Sequence, residues 1–342
     1  MSARYSRQVR LPEVGEMGQL AIEKSRVLIV GMGGLGCPAS QYLIASGVGC
    51  LGIVDGDRVE ETNLHRQILY SNQDLGKTKV EVAAKRLQSM NPRSKINSFF
   101  KLINPKNVAS ILENYDVVLD CTDNFETKYL LNDSCLRMNK TLISASATGF
   151  EANLMIVDGD GPCLRCLYPQ VNSGDVGNCN LNGILGAFVG IVGSWQAAEA
   201  LKAILIHAGR THNLANPVEK VLFFDFYNSR MRAISIKKRS DCFCANKSVN
   251  SECEKSESLY LTGDQVRDLD DYILVDVRTA EERGGEPFPE FEKSESTHRP
   301  LHEIVSGEFN QEQWLPNKKY VLFCSMGKRS AMAAQWLREH GV

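Results

Sequence analysis

What this chain lacks narrows the choices first. It has no excess of charge of either sign: 39 Lys and Arg stand against 41 Asp and Glu, a formal net charge of −2 at pH 7, and no basic block stands out. Nothing electrostatic therefore points to nucleic acid or to an anionic membrane, and neither is an expected partner. No apolar run approaches the ~18 residues of a membrane span, and the opening Met1-Ser-Ala-Arg-Tyr-Ser-Arg-Gln has no apolar core of a signal peptide. A cytoplasmic location is expected. There is no internal repeat and no low-complexity tract.

Cysteine, by contrast, is abundant, with 11 residues. Without an export signal these read as thiols rather than as a disulfide framework, because the cytosol keeps cysteine reduced. Metal binding and sulfur chemistry come forward instead. Cys37, Cys50, Cys121 and Cys135 lie in or beside apolar stretches and read as buried packing residues. Cys163, Cys166, Cys179, Cys242, Cys244, Cys253 and Cys324 need another explanation.

A length of 342 residues exceeds the size at which single cores stop growing, so two domains are expected. Strand-like runs at 26–30, 51–54, 95–100 and 116–120 alternate with helix-like segments near 36–46, 77–90, 105–114 and 124–138. That alternation predicts an α/β fold, a Rossmann-like, mostly parallel sheet with helices on its faces. Further on, 142–145, 153–157 and 220–236 look like strands of an added, antiparallel portion, 183–207 like a long apolar helix, and 170–182 like a polar loop. The polar stretch 237–258 reads as a linker. Beyond it, strands at 272–276 and 320–323 and a helix at 330–340 suggest a second, small α/β unit. The expected domains are 1–240 and 259–342, joined by 241–258.

Gly31-Met-Gly-Gly-Leu-Gly36 follows the apolar run Val27–Val30 and opens a helix, and Asp55 closes the next apolar run, Leu51–Val54. Gly31, Gly33, Gly34 and Gly36 let a backbone approach a phosphate at a helix N-terminus, and an acidic residue about 20 positions on can hold a ribose hydroxyl. NAD and ATP both suit that arrangement. Asn63-Leu-His-Arg66-Gln67, Lys79 and Cys121-Thr-Asp123-Asn124 add an Arg, a Lys and an Asp near the carboxyl edge of the sheet. Two cations suit a triphosphate and the charge that builds at its α-phosphate, and an Asp suits Mg²⁺; hydride transfer needs neither. Taken singly, Arg66 and Lys79 read more readily as solvated helix charges; taken together they do not.

With these motifs the chain resembles the MoeB/ThiF family of adenylyltransferases that activate ubiquitin-like sulfur carriers. The likeness rests also on Arg4-Tyr-Ser-Arg7-Gln, Asp55-Gly-Asp57 and Gly190-Ile-Val-Gly-Ser-Trp-Gln-Ala-Ala-Glu-Ala-Leu-Lys202, and covers residues 4 to about 245. The resemblance implies that a carrier with a Gly-Gly tail, of the thiamin, molybdopterin or tRNA-thiolation kind, attacks the α-phosphate of Mg·ATP to give an acyl-adenylate and pyrophosphate. It further implies that Asp55 holds the ribose, Arg66 and Lys79 hold phosphates and Asp123 holds Mg²⁺, with Asp57, Asn63 and Asn124 completing the site. Arg7 would reach the phosphates of a neighbouring subunit, which makes a homodimer the expected assembly.

Cys163-Leu-Arg-Cys166 has the spacing that lets two thiolates reach one tetrahedral Zn²⁺. The family supplies a second CxxC downstream, whereas Cys242-Phe-Cys244 here has a single intervening residue. A structural Zn²⁺ is expected, held either by that CxC pair or by one of the pair with Cys253; the alternative is a degenerate site without metal.

Cys179 lies in a loop ahead of the long helix, where some relatives carry a thiol that links to the carrier; an idle surface cysteine is the other reading. Cys324 stands at the end of Val321-Leu-Phe323 in Cys324-Ser-Met-Gly-Lys-Arg329-Ser330, where amides and the flanking Lys328 and Arg329 would make a thiolate nucleophilic. This segment, with Asp276-Val-Arg278, resembles a rhodanese sulfurtransferase loop. That resemblance implies a persulfide on Cys324, supplied by a donor such as a cysteine desulfurase and passed to the activated carrier. No His-Ile-Pro-Gly-Ala-like strand is expected within 284–300, and Val342 falls short of the last strand and helix of a typical unit. An NAD-dependent oxidoreductase and a non-catalytic carrier-binding module are the two other readings.

Overall fold

The computed structural model describes residues 3–159, 161–169, 183–210, 214, 217–245, 266, 269, 271–285, 295–305, 314–315, 318–324 and 328–339. They fall into two units, Met1–Val249 and Asn250–Val342.

The first unit is built on β1 (Arg26–Val30), β2 (Cys50–Asp55), β3 (Lys95–Phe100), β4 (Val117–Asp120), β5 (Thr141–Thr148), β6 (Glu151–Val157), β7 (Lys220–Asp225) and β8 (Arg230–Ser235). Their order across the sheet is β3-β2-β1-β4-β5-β6-β7-β8. The first five run parallel, with Val27 opposite Leu51 on one side and Val117 on the other. The last three are added antiparallel. A parallel sheet must be covered on both faces, and the side chains obey the two-residue strand period. Val27, Ile29, Leu51, Ile53 and Leu119 enter one core, beneath the helices Gly15–Lys24, Gly36–Ser46, Lys79–Met90 and Gly186–His207. Leu28, Val30, Val54 and Val118 enter the other, with Leu112 and Leu131 from Val108–Leu112 and Phe125–Arg137. Strand order reverses between β1 and β4, so a crevice opens beyond their carboxyl ends, where ligands of open α/β sheets bind.

Three expectations are corrected in this unit. Residues 220–236 form two strands around a tight turn in which Ser229 takes φ 52°. The stretch read as linker begins inside the first unit, since Cys242 and Cys244 are buried in its core. The helix Gly186–His207 is long and apolar enough to cross a membrane by length and composition, although its sequence did not stand out as such; 56% of its most apolar stretch is buried inside the protein.

The second unit is a parallel sheet of β9 (Tyr272–Asp276), β10 (Glu295–His298) and β11 (Lys319–Phe323), in the order β10-β9-β11. Val275, Val277, Ile304, Ala333 and Leu337 form one core, and Tyr272 and Leu274 belong to a second. β10 lies where no strand was expected, because Glu-Ser-Thr-His carries no apolar signature.

Candidate active site

The turn after β1 is a matter of backbone contact. Gly31 takes φ 95°, and a Cβ there would lie 2.7 Å from the Cys121 carbonyl oxygen; a Cβ on Gly36 would lie 2.0 Å from the Gly31 oxygen. Gly34 is closed in by Val189. Gly33 differs, since its Cβ would meet nothing nearer than Gln67 Nε2 at 3.7 Å. Packing does not require glycine there, so the missing side chain leaves room for a ligand.

Asp55 ends β2 beside this turn. Its carboxylate accepts the Met32 and Asp57 N–H groups, each at 2.7 Å. Burial raises its pKa above the usual carboxylate range, with the nearby Lys79 ammonium acting against that. Lys79 opens its helix only 4% exposed and donates to Asp57 Oδ2 at 2.9 Å. It is therefore not a solvated helix charge. Arg66 lies against Gly34 and Gly186 and donates to Asn63 Oδ1 at 2.9 Å and the Thr62 carbonyl at 3.0 Å. Gln67, buried beside Gly33, has an Oε1 with no hydrogen-bond partner among the described residues. An unpaired buried acceptor costs about 1–3 kcal/mol, which a ligand hydroxyl or amine would remove. Gln67 was legible only as part of a motif.

Across the crevice, Asp123 is exposed one residue after Thr122, and Asn124 Oδ1 accepts the Thr127 N–H at 2.8 Å, capping the helix Phe125–Arg137. Behind them Asp120 and Lys128 form a buried pair at 2.8 Å. Sequence reading missed this pair; the only signal was an Asp closing an otherwise apolar strand. Arg7 is not brought to the turn within the chain. Its segment is tied by Gln8 to the Ser46 carbonyl at the far end of the helix Gly36–Ser46, roughly 15 Å from the turn at 1.5 Å per residue.

Cys163, Cys166, Cys242 and Cys244 converge, with all four sulfurs within 4.8 Å of one another. Cys163 and Cys242 are 3.5 Å apart, Cys166 and Cys244 3.4 Å. Tetrahedral zinc at ~2.3 Å from each sulfur sets them about 3.8 Å apart, so the donor set and spacing fit. Burial and neighbouring thiols push Cys163 up to about 12. Burial also works to raise Cys166, but the Arg239 N–H at 3.4 Å helps bring it below its ordinary value. Of the two pairings open in the sequence, the CxC pair is the one assembled here; Cys253 and Cys179 lie outside the described residues.

In the second unit Cys324 directly follows β11, is buried, and receives the Ser330 N–H at 3.4 Å from the first turn of the helix Lys328–Glu339. Arg329 is forked onto Glu282 at 2.5 and 2.6 Å, and this holds the Glu282 carboxyl down to about 2. Asp276 and Arg278 are both 1% exposed and pair at 2.9 Å, with the guanidinium over the Phe323 ring. Burial opposes the Asp276 charge, and the Arg278 bonds outweigh it, lowering its pKa.

An open glycine turn at a switch point, an acidic strand end and a buried lysine are the features of a nucleotide-binding α/β protein, and the four-thiol cluster is one that could hold a metal ion. The chain belongs to the ThiF family, whose model matches residues 5–245. It is 39% identical over 369 residues to the adenylyltransferase and sulfurtransferase MOCS3 of Drosophila sechellia, covering 98% of this chain and 78% of that protein. It is 38% identical to the same-named protein of Culex quinquefasciatus over 305 residues, 81% of this chain and 68% of that one. Among solved structures it is similar to Escherichia coli MccB with ATP, with a TM-score of 0.60 and 23% identity over 72% of this chain and 74% of that one. PaaA gives a TM-score of 0.58 at 23% identity, covering 70% and 76%. These last two likenesses concern the fold alone.

Proposed function

We propose that this chain is an ATP-dependent adenylyltransferase that activates the C-terminal glycine of a ubiquitin-like sulfur carrier and then passes sulfur to it. The observation that carries this is the meeting, at one crevice, of an open glycine turn, Asp55, a buried Lys79 and Arg66. A dinucleotide site for redox chemistry explains the turn and Asp55 and gives the two cations no task. The relatives named for both adenylyl and sulfur transfer support the same reading.

In this account the phosphates lie over Gly33, with Asp55 on the ribose and Lys79 and Arg66 on the phosphates. The carrier carboxylate attacks the α-phosphorus and pyrophosphate leaves, its charge met by those two cations. Asp123 is the oxygen ligand for Mg²⁺, a hard cation that would neutralise phosphate charge when bound. Asp57, Asn63 and Asn124 act through others, Asp57 on Lys79, Asn63 on Arg66, and Asn124 as the cap behind Asp123. The four cysteines hold a structural Zn²⁺ that ties the segment after β6 to the one after β8.

Arg7 serves the site of a second copy. An apolar groove of about 1090 Å³ between the helices Gly36–Ser46 and Gly186–His207, with Tyr42, Ile68 and Ile191 exposed, supports a homodimer. The terminal sulfur of a Cys324 persulfide attacks the acyl-adenylate and AMP leaves; a second thiol, for which Cys179 is the candidate, attacks the Cys324 sulfur, freeing the thiocarboxylate and leaving a Cys179–Cys324 disulfide that a cellular dithiol reductant reopens. A cytoplasmic cysteine desulfurase is the proposed source of the persulfide.

The test is carrier-dependent ATP–pyrophosphate exchange, expected in the wild type and lost in Lys79→Met. Equal exchange in both would refute the proposal.

A further inference from the structure

The strand end that leads to Asp123 is held by two ions sealed from solvent. Asp120 is 0% exposed and Lys128 3%. Lys128 Nζ donates to Asp120 Oδ2 at 2.8 Å and to the Ala145 carbonyl at 2.7 Å. The same Oδ2 accepts the Ser144 hydroxyl at 2.6 Å. Oδ1 accepts both the Thr122 N–H at 3.0 Å and the Thr122 hydroxyl at 2.7 Å. Four donors, drawn from the helix Phe125–Arg137, from β5 and from the segment after β4, thus converge on one carboxylate.

Burying two ions is costly, and apolar residues of similar volume would stabilise the fold as well or better. What the pair supplies is direction. Thr122 is held at two atoms, and the Cys121–Thr122 peptide is the surface on which the glycine turn rests: a Cβ on Gly31 would lie 2.7 Å from the Cys121 oxygen and 3.3 Å from the Thr122 nitrogen. Asp123 follows at once, and the Asn124 cap fixes the chain beyond it. One buried network therefore sets the glycine wall and the acidic wall of the crevice against each other.

We propose that Asp120, Lys128 and Thr122 are positioning residues that fix the Asp123 carboxylate relative to the turn at Gly31, and so fix where the metal ion accompanying ATP is held. This rests on the reading of Asp123 as that metal's ligand. Preorganised side chains of this kind act by holding a ligand group within a fraction of an ångström of its working position.

The test measures ATP affinity of the full-length protein by calorimetry with and without Mn²⁺, and the electron paramagnetic resonance line of the bound Mn²⁺. Asp120→Asn and Thr122→Val are compared with Asp123→Asn; Thr122→Val keeps the side-chain shape and guards against a variant that fails to fold. Both positioning variants are expected to bind metal-free ATP within about twofold of wild type, to lose about tenfold or more of the Mn²⁺ enhancement, and to alter the resonance line. If they only lower the melting temperature and keep the enhancement that Asp123→Asn loses, the inference falls alone. If Asp123→Asn also keeps it, the reading of Asp123 falls too.

Discussion

Lys79 shows what burial changes at the scale of a single residue. Its ammonium is almost closed off while its partner Asp57 has a side chain 61% exposed, so removing the lysine leaves a carboxylate that water can satisfy. Lys79→Met should therefore fold, with a melting temperature near wild type, and lose pyrophosphate exchange by roughly 10²–10³. That Asp55, Arg66 and Lys79 gather around the glycine turn was legible because their spacing is itself a signal. Lys128 was not, because nothing in the sequence distinguishes a lysine buried under a helix from the solvated kind. A second prediction concerns His207, which hydrogen-bonds Asp158 at 3.3 Å and has its pKa raised above 6.5 by that partner. The histidine contribution to stability is complete below 6.5 and declines as pH rises through the higher folded value. Asp158, lowered below 3.8, contributes above 3.8 and declines as pH falls through its folded value. The stability difference between wild type and His207→Gln should thus shrink from about pH 6 to about pH 8, read from urea midpoints. A difference that grows with pH would contradict the pairing.

At the scale of elements, the glycine turn separates a structural from a functional demand. Gly36→Ala forces a carbon onto the Gly31 carbonyl and should cost about 3 kcal/mol or more, seen in chemical denaturation. Gly33→Ala meets no such wall, so its stability should stay within about 0.5 kcal/mol of wild type. Its affinity for Mg·ATP should nevertheless fall on the order of tenfold, since the new methyl enters the space over which the phosphates are proposed to lie. The cysteine cluster predicts one Zn²⁺ per chain by elemental analysis, lost in Cys244→Ser together with a lower melting temperature; a metal-free wild type would refute it. The central strands β1, β2 and β4 were legible because continuous apolar runs mark strands covered on both faces. β10 was not, being built of Glu-Ser-Thr-His, and the hairpin of β7 and β8 was read as one strand because its turn carries no glycine or proline. Cys242 and Cys244 sat in a polar stretch whose composition suggested a linker, and only the thiols opposite them explain their burial.

For the whole molecule, the two units divide the proposed reaction. Cys324→Ser should leave adenylylation intact and stop thiocarboxylate formation, whereas Lys79→Met should stop both; mass spectrometry of the carrier distinguishes the two. The sequence suggests that division because the glycine turn and the Cys324 segment each follow an apolar strand and precede a helix. The role proposed for Arg7 rests on family resemblance, since its segment is tied by Gln8 to the end of the helix Gly36–Ser46 remote from the turn. The most direct test of the central claim, that the crevice serves attack on the α-phosphate of ATP, is intact-mass analysis of Gly-Gly-tailed carriers incubated with this protein, Mg·ATP and a persulfide source. The account predicts a carrier adenylate with release of pyrophosphate, converted to a thiocarboxylate. An unmodified carrier and no pyrophosphate, from a protein that instead binds NAD, would contradict it.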